Sequence, residues 1–206
     1  IARVQAILLK PAPTWDVIDV EPADVKSLYV GYIIPLAAIG PVATAIGLSI
    51  FGMGAFGVTI HPPLLTILTG SIFGFVMSLV MVYVMGLVID ALAPGFGGQK
   101  NPIQALKVAA YSMTAAWVVA IVNLLPSLGM LGILGLYSLY LLYLGLPRLM
   151  KSPADKSVGY TAVVVIVGIV LAAVIGIVGG GLTGGGMMGA GLLGGANRGA
   201  ACAGVG

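Results

Sequence analysis

The sequence predicts an all-α fold, a polytopic membrane bundle of five transmembrane helices preceded by a short N-terminal interfacial helix. Three observations carry this. Charged residues are 7% of the 206 and apolar ones 60%, whereas an ordinary soluble domain carries about 25% charge. Too few charges are present to coat a globule in water, so lipid must be the solvent for most of the surface. Apolar runs of about 20 residues, enough for a helix to cross the hydrocarbon core, recur along the chain. Lys and Arg gather in alternate connections between those runs, which sets the orientation of membrane helices.

Residues 1–26 form the first region. Ile1, Val4, Ile7 and Leu8 share one helical face, with Arg3 and Gln5 on another. That pattern suits a helix lying in the interface and ending at Lys10-Pro11. Trp15 then fits an anchor at headgroup level. Pro22 falls in the first turn of the next helix, where its missing N–H is not needed.

Residues 27–178 form the membrane domain. Its spans run approximately from Ser27 to Ile50, Thr66 to Ile89, Gln104 to Leu125, Leu128 to Leu146 and Val158 to Val178. Pro35 and Pro41 should kink the first. Asn123 and Pro126 mark a tight turn, so the third and fourth spans form an antiparallel hairpin; one helix of that length would overrun the bilayer. Arg3, Lys10 and Lys26 precede the first span, Lys100 and Lys107 flank the second connection, and Arg148, Lys151 and Lys156 fill the fourth, leaving Arg198 beyond the last span. The N-terminus is therefore expected in the cytoplasm and the C-terminus outside. Ala43-Thr44-Ala45 has the small residues of a leader-cleavage site, but the apolar run around it is too long for a leader core. Tyr29, Tyr32, Tyr83, Tyr111 and Tyr160 lie near the cytoplasmic boundary, and Tyr137, Tyr140 and Tyr143 continue inward. They read as an aromatic belt with a packed stripe, or as a tyrosine-lined pocket open to the cytoplasm.

The central portions of the spans carry no Asp, Glu, Lys, Arg or His. Their polar groups are Ser78, Ser112, Thr114, Asn123 and Ser138, which bond across helices but relay protons poorly. This argues against a pump, a voltage sensor or an intramembrane protease. His61 stands alone before Pro62-Pro63, and the single Cys202 excludes an internal disulfide; metal ligands come in sets. No cofactor is expected, and the basic residues form no clustered face for nucleic acid.

Contact surfaces are easier to find. Gly70, Gly74 and Ser78 form a small-residue ladder on the second span, and Gly176 with Gly180 another near the end of the fifth. Such ladders let helix backbones approach closely, within the bundle or against another protein.

The most patterned segment is the loop that opens at Asp90 and continues through Pro94, Phe96, Gly97, Gly98, Gln99, Lys100 and Asn101. Asp90 ends one helix and Lys107 opens the next, each at the unfavourable pole of its own helix dipole. An Asp90–Lys107 or Asp90–Lys100 pair would relieve both. The glycines either cradle a phosphate or lipid headgroup with their amides or make a tight turn; no nucleotide-binding GK[ST] follows. With Tyr111, these are the candidate binding residues.

At this loop the chain resembles the Yip family, the Ypt/Rab-interacting membrane proteins, in its bacterial branch. The resemblance continues through Gln104-Ala105-Leu106-Lys107, Ala110-Tyr111-Ser112, Leu144-Gly145-Leu146-Pro147 and Lys151-Ser152-Pro153, and touches Trp15-Asp16 and the run from Leu28 to Pro35. It covers residues 3 to 178 in fragments and implies five spans with a cytoplasmic N-terminus. Ala115 stands where members often carry a proline, which puts a family-like kink in the third span in doubt. The small-GTPase and vesicle role of eukaryotic relatives is not carried over.

Residues 179–206 form a glycine-rich apolar tail. Met187-Met188 and Leu192-Leu193 within it are expected to pack on a partner protein outside the membrane. No nucleophile–base pair can be assembled from one histidine, one cysteine and six acids, so an enzyme is not expected. The sequence reads best as a scaffold or accessory subunit of a larger membrane complex, contacting membrane lipid and a partner membrane protein or a second copy. The alternative is a small passive channel or a lipid-handling protein.

Overall fold

The computed structural model describes residues 2–55, 58–125, 131 and 133–182. The glycine-rich tail from 183 onward lies outside the described residues, as does the turn expected at Pro126.

Among the described residues, four helices are long and apolar enough to cross a membrane: a first span Val25–Phe51, a second Leu64–Phe96, a third Pro102–Leu124 and a last span Ala154–Gly180. Where a fourth span was expected over Leu128–Leu146, the apolar helix is shorter, Ile133–Leu149. It opens in a 3-10 turn and becomes α-helical only at Tyr137; Gly135 in that turn adds nothing to helix propensity.

The N-terminal region folds as two helices, α1 (Ala2–Leu9) and α2 (Pro11–Val20). They form a hairpin that returns onto the bundle. Ile7, Trp15 and Ile18 are completely or almost completely buried. The apolar face of α1 thus packs on protein, and Trp15 is a core residue instead of the expected headgroup anchor. Its indole lies against Gly145, where an added Cβ would come 2.7 Å from the ring. Full burial of an indole outweighs the interfacial preference that its amphipathic ring suggests.

Pro22 stays outside the first span. That helix starts at Val25, with Asp24 and Ser27 forming a reciprocal capping box, and this cap fixes the start more firmly than a proline does. Ser27 also holds the Asp24 carboxyl below its usual carboxylate range. The kink expected in the first span is present in two forms. A π-helical turn at Tyr29–Ile33 precedes Pro35, and a turn at Ala38 separates Ile34–Ala37 from Ile39–Phe51. Prolines at 35 and 41 withdraw the amides that would have bonded Gly31 and Ala37.

Gly52, at φ 69°, ends the first span. Strands β1 (Met53–Ala55) and β2 (Val58–Ile60) then form a small antiparallel ribbon, with Met53 opposite Ile60, where the sequence suggested only a loop. His61 follows, exposed.

The third span is the central strut, mostly buried in the bundle, whereas the last span is largely exposed on its surface. Every residue from Ala105 to Ser112 is buried. The span also breaks: an α-helix over Pro102–Ser112 gives way at Met113 to Thr114–Val119 and a 3-10 turn over Ala120–Leu124. The break forms without the proline that the family often places near position 115. Hydroxyls satisfy it, as lipid-embedded backbone requires. Thr114 donates to Tyr111 O at 2.7 Å and lies 2.7 Å from the Tyr32 hydroxyl, while Ser138 Oγ accepts the Ala116 amide at 3.0 Å.

The last span runs antiparallel to the second. Tyr160 donates to Ile89 O, Gly168 lies against Met85, and Gly179 lies against the Phe73 ring. Gly168 and Gly179 are therefore the glycines of this contact. A Cβ at Gly74, Gly176 or Gly180 would meet nothing within 4 Å among the described residues, so the Gly176–Gly180 ladder lies one helical position off the described seam. Gly70 is half-buried, and Ser78 Oγ accepts the Trp117 indole N–H at 3.4 Å.

Candidate functional site

The charged residues that flank the spans converge at one end of the bundle, here called the basic end. The Gln99 amide donates to Met150 O at 2.8 Å, which ties the connection after the second span to the one after Leu149. The α1–α2 hairpin docks beside both.

Lys107 organises this end. It is buried at 3% exposure, and its Nζ donates to Ile18 O at 2.9 Å and Glu21 O at 2.5 Å. Ile18 is in the last turn of α2, whose final carbonyls have no intrahelical partner. A cation there satisfies them and meets the negative pole of the dipole. Lys107 thus sits at a favourable pole after all, that of α2. Gln104 adds hydrogen bonds to Asp19 O at 2.8 Å and Asp19 Oδ1 at 3.2 Å.

Neither expected Asp90 pair forms. Lys107 is committed to the α2 carbonyls, Lys100 is exposed, and Asp90 Oδ1 is buried without a hydrogen-bond partner. The acids that do pair lie at 16–21. Arg3 meets Glu21 at 2.5 Å, Arg148 Nε meets Asp16 at 3.1 Å, and Lys151 meets Asp19. Lys151 also has φ 53°, a left-handed conformation in the position after a helix end that glycine usually takes.

The glycine loop is a turn and no cradle. Ala93–Phe96 makes one 3-10 turn. The Gly97 amide then donates to Pro94 O at 3.1 Å and the Gly98 amide to Ala93 O at 2.8 Å. With the Gln99 amide also taken, these donors are spent inside the chain, which overturns the phosphate-cradle reading. Glycine is required twice. Gly97 has φ 73°, and a Cβ on Gly98 would come 2.8 Å from Met150 O. Phe96 stacks on Tyr160, ring centroids 4.9 Å apart. Pro94 and Gln99 are exposed, and Asn101 caps the third span by accepting the Gln104 amide at 3.1 Å.

Tyr111 joins the hairpin to the bundle interior. Its ring lies 4.4 Å from Tyr32 and 6.2 Å, edge-on, from Trp15. These contacts fit the packed-stripe reading of the tyrosines, and Trp15 occupies the place beside Tyr111 that the alternative, a tyrosine-lined pocket, would need.

The family model for the Yip1 domain matches residues 6–175. The chain belongs to the Yip1 domain family. Comparison with curated proteins and with solved structures finds no match. The family match includes most of the hairpin and stops before the glycine-rich tail. With its four membrane-length helices, this Yip1-domain chain is an integral membrane protein.

Lys107, Tyr111 and the turn residues, singled out in the sequence as candidate binding residues, lie toward the basic end of the bundle. It missed Asp16, Asp19, Glu21, Gln104, Arg148, Lys151 and Tyr160 as interacting groups. A signal existed: the acids at 16, 19 and 21 lie among basic residues assigned to the same side, and charges confined to one end of a membrane protein have few partners but each other.

Proposed function

We propose that this Yip1-domain protein is a non-enzymatic scaffold or accessory subunit of a larger membrane complex, set in a bacterial inner membrane with its basic end in the cytoplasm. One observation carries the reading: a Cβ at Gly74 on the second span, or at Gly176 or Gly180 on the last, would meet nothing within 4 Å among the described residues. Bare backbone on a membrane helix favours a closely approaching second helix, which gains dispersion contact that mobile lipid tails supply less well. The occupant is a partner membrane protein or a second copy, with lipid covering the rest. The internal chemistry fits this role, since Lys107, Gln104, Thr114, Tyr160 and Ser138 are committed to backbone groups and hold structure together.

A channel or lipid-handling role draws less support, because Trp15, Tyr32 and Tyr111 fill the region that a cytoplasmic vestibule would need. The test is photo-crosslinking in cells, with a crosslinking residue at Gly74 or Gly176 and controls at Val76 and Val174. Crosslinks to protein from the glycine positions and not the controls support the reading. Equal crosslinking, or lipid adducts alone, overturns it.

A further inference from the structure

The α1–α2 hairpin is fastened to the bundle by side chains. Among the described residues, its hydrogen bonds to the rest of the chain come from Tyr137 to Leu8 O, from Gln104 and Lys107 to the end of α2, and from Arg148 and Lys151 to Asp16 and Asp19. No backbone-to-backbone bond crosses between them. The buried Ile7, Trp15 and Ile18 add apolar contact to these ties, so the hairpin can open only as one unit.

The outermost ties are the weakest. Arg148 and Lys151 keep 31% and 51% of their side chains exposed while paired, and partly exposed ion pairs contribute little and are screened. Arg148 lies in the last turn of the apolar helix Ile133–Leu149 and Lys151 just beyond its end, positions that suit lipid headgroups when the bundle sits in a bilayer. A phosphate oxygen is as good an acceptor as a carboxylate for either cation, and arginine binds it bidentately. An anionic leaflet concentrates such groups at this depth.

The docked state also holds features that release would relieve. Trp15 is completely buried, yet its Nε1 donor has no partner. Lys151 is held at positive φ while it reaches Asp19. A released indole would find headgroup or water acceptors, and a released Lys151 could relax.

We propose that the hairpin is a latch opened by anionic lipid: headgroup phosphates take Arg148 and Lys151 from Asp16 and Asp19, and α1–α2 leaves the face formed by Tyr111, Leu141 and Gly145. The latch operates whether or not the glycine faces hold a partner.

The test is a distance measurement on the full chain in nanodiscs, with spin labels at Val17→Cys and Lys100→Cys in a Cys202→Ser background. A second pair, Tyr83→Cys and Val158→Cys, monitors the bundle. Phosphatidylcholine discs should give one short hairpin distance. Discs containing phosphatidylglycerol should move about half or more of the population to longer distances, as a shift between two states requires, with the bundle pair unchanged. The Asp16→Asn/Asp19→Asn variant should show a larger long-distance fraction than the wild type in phosphatidylcholine. The proposal is overturned by a single short distance in anionic discs or by a variant that stays closed. It is equally overturned by opening with dissolved glycerol phosphate at matched ionic strength, which would remove the lipid source. A bundle pair that moves with the hairpin also overturns it, since the ion pairs would then hold the whole fold.

Discussion

Lys107 Nζ lies 2.9 Å from Ile18 O, so a cation at the start of the third span closes the end of a helix 89 positions earlier in the chain. Charge-assisted bonds of this kind contribute about 1.5–3 kcal/mol each way they are measured, and a buried carbonyl left without its donor is penalised separately. Lys107→Met should therefore lower stability in detergent by about 2–4 kcal/mol, read as a fall in thermal midpoint. Lys107→Arg should lose less, because it keeps the charge but must fit a bulkier head.

Trp15 and Gly145 test the docking of the hairpin. A Cβ at 145 would come 2.7 Å from the indole, too close for a rigid ring to absorb. Gly145→Ala should cost about 1–3 kcal/mol, the range for overpacking a filled core. Combining it with Trp15→Leu should recover part of that loss. Additive effects, measured by thermal unfolding of the four proteins, would show that the two residues do not touch.

Lys151 separates backbone strain from charge. Lys151→Gly removes the positive-φ penalty and the Asp19 pair together, whereas Asp19→Asn removes the pair and keeps the strain. Asp19→Asn should be the less stable of the two by about 1 kcal/mol, the usual advantage of glycine in the left-handed region. Denaturation of both variants side by side gives the answer.

Tyr160 supports the seam between the last and second spans through its hydroxyl on Ile89 O and its ring on Phe96. Tyr160→Phe should lose about 1 kcal/mol, one net hydrogen bond. Phe96→Ala should lose about 3 kcal/mol or more if the half-buried ring behaves as a core aromatic. A larger loss from Tyr160→Phe would mean that the hydroxyl, and not the stacked rings, holds the seam.

Much of this fold was legible because a bilayer demands long apolar helices, and the chain shows them plainly. The basic end was legible from the placement of lysines and arginines alone. Trp15 was misplaced because an indole suits both an interface and a core, and only Gly145, 130 positions away, decides between them. The break at Met113 was hidden for a related reason: hydroxyls on two other helices, Tyr32 and Ser138, support it where family members often carry a proline and this chain has Ala115. Asp90 was paired wrongly because dipole reasoning within one connection ignored α2, whose open carbonyls compete for the same lysine. The Gly176–Gly180 spacing pointed to the right helix but to a face next to the seam, since the contacting Gly168 and Gly179 are eleven residues apart and form no four-residue ladder.

The central claim, that the unopposed glycine faces bind another membrane protein, is tested most directly by the mass of the native particle after extraction in mild detergent. The wild-type chain should emerge in a complex heavier than one copy with its lipid, and Gly74→Leu/Gly176→Leu should emerge as a single copy of intact fold. A wild-type particle that is already a lone chain with lipid, indistinguishable from the variant, would contradict the account.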